Sequence, residues 1–340
     1  MNTEPNIASF MYVGITTLLE QHNISPQAIY QQVALTPTVE QTPDVLLPYS
    51  SFLNMLDKLK QVLPYQHPSL MLAKLQHQQG ENFYVDLLLN SPNLGVMLQN
   101  ALQYRKHFSE ITYWNWYTDD NYLFIKRSSF LAIEYNVEEH SLYSLSYSFH
   151  VIKKVLNDSV EHIEYVSLIQ SKSAGHQELM RYFNCPIRYE QDFDGLVLKE
   201  SSLLTPNEKF AHEKYSALLK RMIDLAVIFP TNQTFSSSVK AIIFSTLTTK
   251  FCSIEGVAKM MNIHHRTIQN RLNKENTNFK QLVRQVRDAC AIRMLMQQDL
   301  SLSRISRLLG YSELSAFTRA FKTEHQLSPK AWRKMKFNQQ

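Results

Sequence analysis

Near its C-terminus the chain aligns with itself, and no other feature narrows its fold so far. Val257-Ala258, Met261-Asn262-Ile263-His264, Ile268 and Leu272 fall opposite Ile305-Ser306, Leu309-Gly310-Tyr311-Ser312, Phe317 and Phe321, at an offset of 48 residues up to the turn and 49 after it. Each copy reads as a short helix, a tight turn and a second helix. In the first, Ser253 is a candidate N-cap for a helix with Ile254, Val257, Ala258 and Met261 on one face. Asn262 stands where the chain must turn, because Asn best replaces Gly in a left-handed conformation; Gly310 takes that place in the second copy. The following helices bury Ile268 and Leu272, or Phe317 and Phe321, while the small Ala258 and Ser306 permit close helix approach. Such a unit is a helix-turn-helix, whose second helix lies in the DNA major groove. A single copy is more often plain helix packing.

Charge decides between those readings. The 340-residue chain carries a formal +5, but residues 250 to 340 hold 17 Lys and Arg against 6 Asp and Glu, or +11, leaving 18 against 24, or −6, for the rest. A doubled helix-turn-helix inside a basic segment points to a polyanion, and the length predicts a second domain before it. A membrane surface fits less well, since the basic residues are spread over several helices. Between the copies, Thr277 is a candidate cap for a helix carrying Phe279, Leu282, Val283, Val286, Ala289, Cys290, Arg293 and Met294 and ending about Gln298. Some twenty residues span about 30 Å, close to one turn of B-DNA.

Several chemistries are excluded. With 44% hydrophobic and 19% charged residues the chain is globular. Its seven glycines are never closer than Gly80 and Gly95, so no dinucleotide fingerprint, phosphate-binding loop or nucleophile elbow is present. Cys185, Cys252 and Cys290 lack CxxC partners, leaving neither a disulfide framework nor a four-cysteine zinc site and pointing to a reducing cytoplasm. The paired His264 and His265 invite a metal reading, but their side chains diverge and no acidic or Cys ligand is near, so no metal is expected. Neither cofactor nor catalytic residues are expected, and MNTEPNIASF is no export signal.

The stretch from Ser253 to Arg333 resembles the DNA-binding domain of AraC/XylS-type bacterial transcription regulators. ISRLLGYSELSAFTRAFKTEHQLSPKAWR follows the pattern of that family's second unit at Ile305, Leu309, Gly310, Ser315, Phe317, Arg319, Phe321, Lys322, Ser328 and Pro329. It departs at Ser306 for the usual Ala and Gln326 for a usual Gly, and His264 and Asn270 stand where Ser and Arg are common in the first unit. Arg266, Gln269 and Asn270 have the chemistry to read guanine or adenine edges, and the resemblance places base contacts there. The same register turns Leu314, Ser315 and Thr318 to the groove, with Leu314 suited to a thymine methyl. Arg319 is placed there too, in a phosphate or a helix-stabilising role; Lys322, Arg304 and Lys330 are phosphate candidates.

Upstream, Pro230 to Thr234 is the best linker, giving an effector-sensing and dimerisation domain over 1–230, a linker at 231–234 and a DNA-binding domain over 235–340 that opens with a helix through Val239, Ile242, Ile243 and Leu247. Helices dominate to about Phe108, with breaks or starts at Ile24-Ser25-Pro26 and Leu47-Pro48. Ile111 to Trp116 and Tyr122 to Lys126 read as a hairpin; Leu131 to Tyr135 is a further candidate strand. A helix from Ser141 to Leu156, a strand from Ile163 to Ile169, a helix from His176 to Phe183 and a strand pair around Asp194-Gly195 complete an α+β domain, followed by the all-α region. GENFYVDLLLNSPNLGVMLQNALQYRKHF and RYFNCPIRYEQDFDGLVLKESSLL resemble the sensor domain of a subgroup that includes regulators of ornithine and of fatty-acid metabolism. Tyr113, Trp114, Trp116, Tyr122 and Phe124 could line an apolar pocket or simply form core, and Arg105, Lys106 and His107 could meet a carboxylate or be a solvated helix end.

The leading expectation is a cytoplasmic transcription regulator, on family resemblance an activator. It would bind promoter DNA, a small apolar or amphipathic effector, RNA polymerase and a second copy of itself. The rivals are an architectural DNA-binding dimer without ligand and an enzyme fused to a DNA-binding domain. The known repair-methyltransferase fusion needs four cysteines in its first domain, where this chain has Cys185 alone.

Overall fold

The computed structural model describes residues 6–41, 46–79, 83–104, 112–129, 138–172, 174–228, 234–247, 252–261, 263–296 and 300–337. They fall into two compact units that part between Thr231 and Asn232. Asn262, the expected strand at 131–135, the basic cluster at 105–107 and linker residues 230–233 lie outside the described residues.

The first unit begins with an antiparallel ribbon of β1 (Asn6–Ala8) and β2 (Leu46–Pro48). Between its strands run α1 (Ile15–Glu20) and α2 (Pro26–Gln32), the latter started by Pro26 at its first turn. Glu40 caps α1 from a distance, accepting the Gly14 and Thr16 amides at 2.8 Å each and the Tyr30 hydroxyl at 2.6 Å. Next come α3 (Tyr49–Val62), α4 (Pro68–Gln79), α5 (Phe83–Leu89) and α6 (Leu94–Tyr104). The hairpin is longer than its sequence signal: β3 (Thr112–Asp119) and β4 (Tyr122–Ser129) pair throughout. Their loop is Asp120-Asn121, both left-handed at φ 50° and 64°, which matches strand twist in a two-residue hairpin.

Then follow α7 (Glu138–Val155), β5 (Ile163–Ser167), α8 (His176–Phe183), β6 (Ile187–Arg188) and β7 (Asp194–Lys199). The sheet order is β3-β4-β7-β5-β6, antiparallel except for β5 with β6. The expected strand pair around Asp194-Gly195 is instead the start of the central strand. Gly195 is there for close approach, since a Cβ would lie 2.2 Å from the Ile125 carbonyl oxygen. Helix α7 begins three residues earlier than its apolar pattern suggests because its first turn is anchored by polar bonds. Glu139 takes Lys60 and His67 at 2.9 Å and Ser69 at 2.6 Å. Burial pushes this carboxyl up, but those bonds outweigh it and hold it below the usual range. His140 bonds Tyr49 and, at 3.2 Å, Arg127, whose guanidinium also reaches the Ser141 hydroxyl at 2.7 Å. Finally α9 (His212–Ile228) packs Met222 with Leu87 and Tyr104.

The second unit is helical: α10 (Phe235–Thr246), α11 (Ile254–Met260), α12 (His265–Lys274), α13 (Phe279–Leu295), α14 (Leu302–Leu308), α15 (Leu314–His325) and α16 (Pro329–Phe337). The connecting helix α13 is shorter than expected, 17 residues or about 25 Å. Its cap is Asn278 and not Thr277. Asn278 and Gln281 exchange amide-to-side-chain bonds of 3.0 Å each way, a reciprocal box that needs the three-residue spacing Thr277 lacks. One core joins both copies: Val257, Ile268 and Leu272 with Ile305, Leu309, Phe317 and Phe321, bridged by Leu282, Val286, Cys290 and Leu295 of α13 and closed by Val239 and Ile243 of α10.

Candidate nucleic-acid interface

Each copy is started the same way. Ser253 accepts the Gly256 amide at 3.0 Å and Ser301 the Arg304 amide at 3.2 Å, so the repeat extends to its caps. In α12, His264 does the work of the Ser usual there, its Nδ1 accepting the Arg266 amide at 3.2 Å. Burial of Ile268 and Leu272 leaves Arg266, Gln269, Asn270 and Asn273 exposed, so the three expected readers share the outer face. In the second copy Gly310 has φ +70°, and a Cβ there would lie 1.8 Å from the Leu247 carbonyl oxygen. Both facts demand glycine. Ser306, where Ala is usual, is buried and donates its hydroxyl to the Glu313 carbonyl at 3.1 Å. Phe317 and Phe321 are buried, while Leu314, Ser315, Arg319, Lys322 and Lys330 are exposed; Thr318 and Arg304 are half-buried.

Three residues that sequence reasoning missed hold these helices in place. Arg287 on α13 donates to the Leu309 and Gly310 carbonyls at 3.0 Å each and lies 4.6 Å over the Tyr311 ring, clamping the second turn to the connecting helix. Glu275, just after α12, accepts the Phe235 and Ser236 amides at 2.7 and 2.9 Å and so caps α10. Bonds from Ser236 and Phe235 and the charge of Arg271 hold its carboxyl below the usual range. Glu313, just before α15, has its carboxyl held below the usual range, chiefly by the neighbouring Ser315 hydroxyl and also by Arg319 at 3.4 Å. Local pattern carries no signal for the first two, whose partners lie more than twenty residues away.

In the first unit, strand alternation divides the candidate aromatics. Trp114 and Trp116 register with Arg127 and Ile125 on one sheet face; Phe124 and Tyr122 register with Tyr117 and Asp119 on the other. Ile125 and Arg127 are buried, Tyr122 is exposed, and Phe124 stacks on Tyr117 at 5.0 Å. The Tyr113 side chain lies outside the described residues. On the Phe124 face is the buried Lys126, 4.7 Å over the Phe193 ring, with its pKa lowered by burial to about 8 against the pull of Asp192. Among the described residues no group of three or more His, Cys, Asp or Glu could hold a metal ion, and no helix is long and apolar enough to cross a membrane.

Residues 257–335 match a helix-turn-helix domain family, and residues 24–207 match the arabinose-binding domain of AraC transcription regulators. The chain belongs to the AraC family of transcription regulators. This AraC-type chain is 38% identical over 104 residues to the HTH-type transcriptional regulator VirS of Mycobacterium tuberculosis, a match covering 31% of each protein. It is 34% identical over 96 residues to the HTH-type transcriptional activator CfaD of Escherichia coli, covering 28% of this chain and 36% of that one. The match thus spans about a third of the length of these relatives. The crystal structure of the transcriptional regulator CdpR from Pseudomonas aeruginosa aligns over 96% of this chain and 98% of its own at 16% identity, with a TM-score of 0.48.

Proposed function

We propose that this chain is a cytoplasmic, ligand-responsive transcription activator that binds promoter DNA as a homodimer and acts on RNA polymerase. The observation that carries the DNA half is the doubled unit, with Arg266, Gln269 and Asn270 exposed on one reading helix and Leu314, Ser315 and Thr318 along the other, in a segment of charge +11. In this reading those six contact bases. Arg304, Lys322 and Lys330 neutralise phosphates, and Arg319 either does so or orders its own helix. Residues 1–230 sense the effector and dimerise, 231–234 link, and 235–340 bind DNA, without catalysis. The effector is a small apolar or amphipathic molecule near the hairpin. What supports that is the aromatic content of β3 and β4, with Trp114 and Trp116 on the face that also holds the Arg127 cation.

Binding of the full chain to labelled duplexes across a salt series tests the DNA half. Counterion release predicts affinity falling linearly in log–log terms with salt. Absence of binding at low salt by folded protein refutes it. For the sensor half, a ligand that favours one state must change DNA affinity and be changed by DNA to the same factor, about 5 to 150-fold. Metabolite screening by thermal shift, then titration with and without promoter, measures it. Equal ligand affinities together with unmoved transcription in vitro would leave an architectural DNA binder as the better description.

A further inference from the structure

The two reading helices are built alike but offer DNA different chemistry. On α12, the exposed Arg266, Gln269 and Asn270 side chains take part in none of the hydrogen bonds found among the described residues, so their donors and acceptors are available to a partner. On α15 the polar groups are already engaged within the helix's own first turns. The Thr318 hydroxyl donates to the Leu314 carbonyl at 2.9 Å, Arg319 reaches the Glu313 carboxylate at 3.4 Å, and the Ser315 hydroxyl helps hold that carboxylate below the usual range. The exposed hydrocarbon here is the Leu314 side chain, 39% exposed, with the half-buried Thr318, which carries a methyl group, one turn on. The ionised Glu313 at the head of α15 also opposes the phosphate contact that a helix N-terminus ordinarily makes.

Resting on the DNA-binding reading, we propose that the two units divide recognition by chemistry. The first specifies its half of the site through hydrogen bonds to purine edges, and the second through apolar contact of Leu314 and Thr318 with thymine methyl groups. Guanine O6 and N7 accept the paired bonds that a guanidinium donates, adenine accepts an amide N–H at N7 while its N6 amino group donates to the amide oxygen, and the C5 methyl of thymine is the apolar feature of the major groove. Breaking the internal bond of Thr318 to read a base would forfeit an interaction already made, so the hydrocarbon is the contact that costs least there. The target site is therefore chemically asymmetric even though the protein repeats.

The test uses the full-length chain and a duplex selected by it from a randomised library. The half whose preference changes in Gln269→Ala belongs to the first unit. Replacing purines there by their 7-deaza analogues, which lack N7, is expected to weaken binding at least about fivefold at a read position. Replacing thymine by uracil in the other half removes the methyl alone and is expected to weaken binding roughly three- to tenfold. Leu314→Ala combined with Thr318→Ser, which keeps the hydroxyl, should abolish the uracil effect and leave the 7-deaza effect intact. Leu314→Met should retain both. The proposal is overturned if uracil costs nothing in the second half, if its effect survives the double variant, or if 7-deaza purines cost as much in the second half as in the first. Failure to enrich or bind any duplex overturns the DNA-binding reading itself, and this one with it.

Discussion

Gln326 ends α15 at φ +59°, a left-handed conformation that disfavours a side chain and explains why glycine is usual there. Gln326→Gly should therefore stabilise the second unit by roughly 0.5–1 kcal/mol, raising its melting temperature by a few degrees; an unchanged or lower midpoint by calorimetry refutes the strain. The converse change, Gly310→Ala, meets both a positive φ and the Leu247 carbonyl, and should destabilise by more than about 2 kcal/mol. A variant that melts within a degree of the parent would show that the turn relaxes freely. Gln326 also shows how far sequence reading reached. Its departure from the resembled pattern was visible, because the glycine usual there reports a backbone angle. The substitute chosen at His264 was visible only as a departure, since a histidine capping through Nδ1 has no distinctive spacing.

At the scale of elements, the helices and hairpin were legible wherever apolar period or turn residues spoke for them. Boundaries failed where a polar bond set them, as at the start of α7, or where two caps competed, as at Asn278. Packing between distant segments left no local trace, so Gly195 read as a turn and not as a strand glycine. Two elements carry pH dependence. His150 on α7 stacks on His77 at 5.1 Å and bonds Tyr182 at 2.7 Å; burial first, then His77 and nearby lysines, lower its pKa to about 4. Between the unfolded value of about 6.5 and that figure, the unfolded chain binds a proton the folded one refuses. The first unit should accordingly keep this stability above pH 6.5 and lose it progressively towards pH 4. His150→Phe should flatten that slope in urea titrations at successive pH values, and an unaltered slope refutes the assignment. Glu275 titrates the other way round in chemistry but with the same sign: its lowered carboxyl contributes fully above about pH 4.5 and ceases to contribute as pH falls through its folded value. Because Glu275 is only half-buried and Gln keeps an acceptor oxygen, Glu275→Gln should cost under about 1 kcal/mol.

At the scale of the whole molecule, the second unit carries the basic charge and has a hydrophobic core of its own. Residues 235–340 alone are expected to fold and to bind DNA with a steep salt dependence, while Lys322→Ala weakens random and specific duplexes alike. A folded fragment without affinity at low salt refutes this, as does a Lys322→Ala loss confined to one sequence. The charge division was readable by counting. What the chain senses was not, because the hairpin aromatics alternate between two faces and neither composition nor spacing says which face meets a ligand.

The two amides that Glu275 grips open α10, while Glu275 itself ends α12. The point where the polypeptide enters the second unit and the far tip of a reading helix are thus tied by a short, two-stranded tether. Phe235 also packs against the hydrophobic core, so the start of α10 is held both by that core and by the end of α12. Where α10 begins therefore fixes where α12 ends, and the first residues of the unit serve as a brace for the tip of that helix.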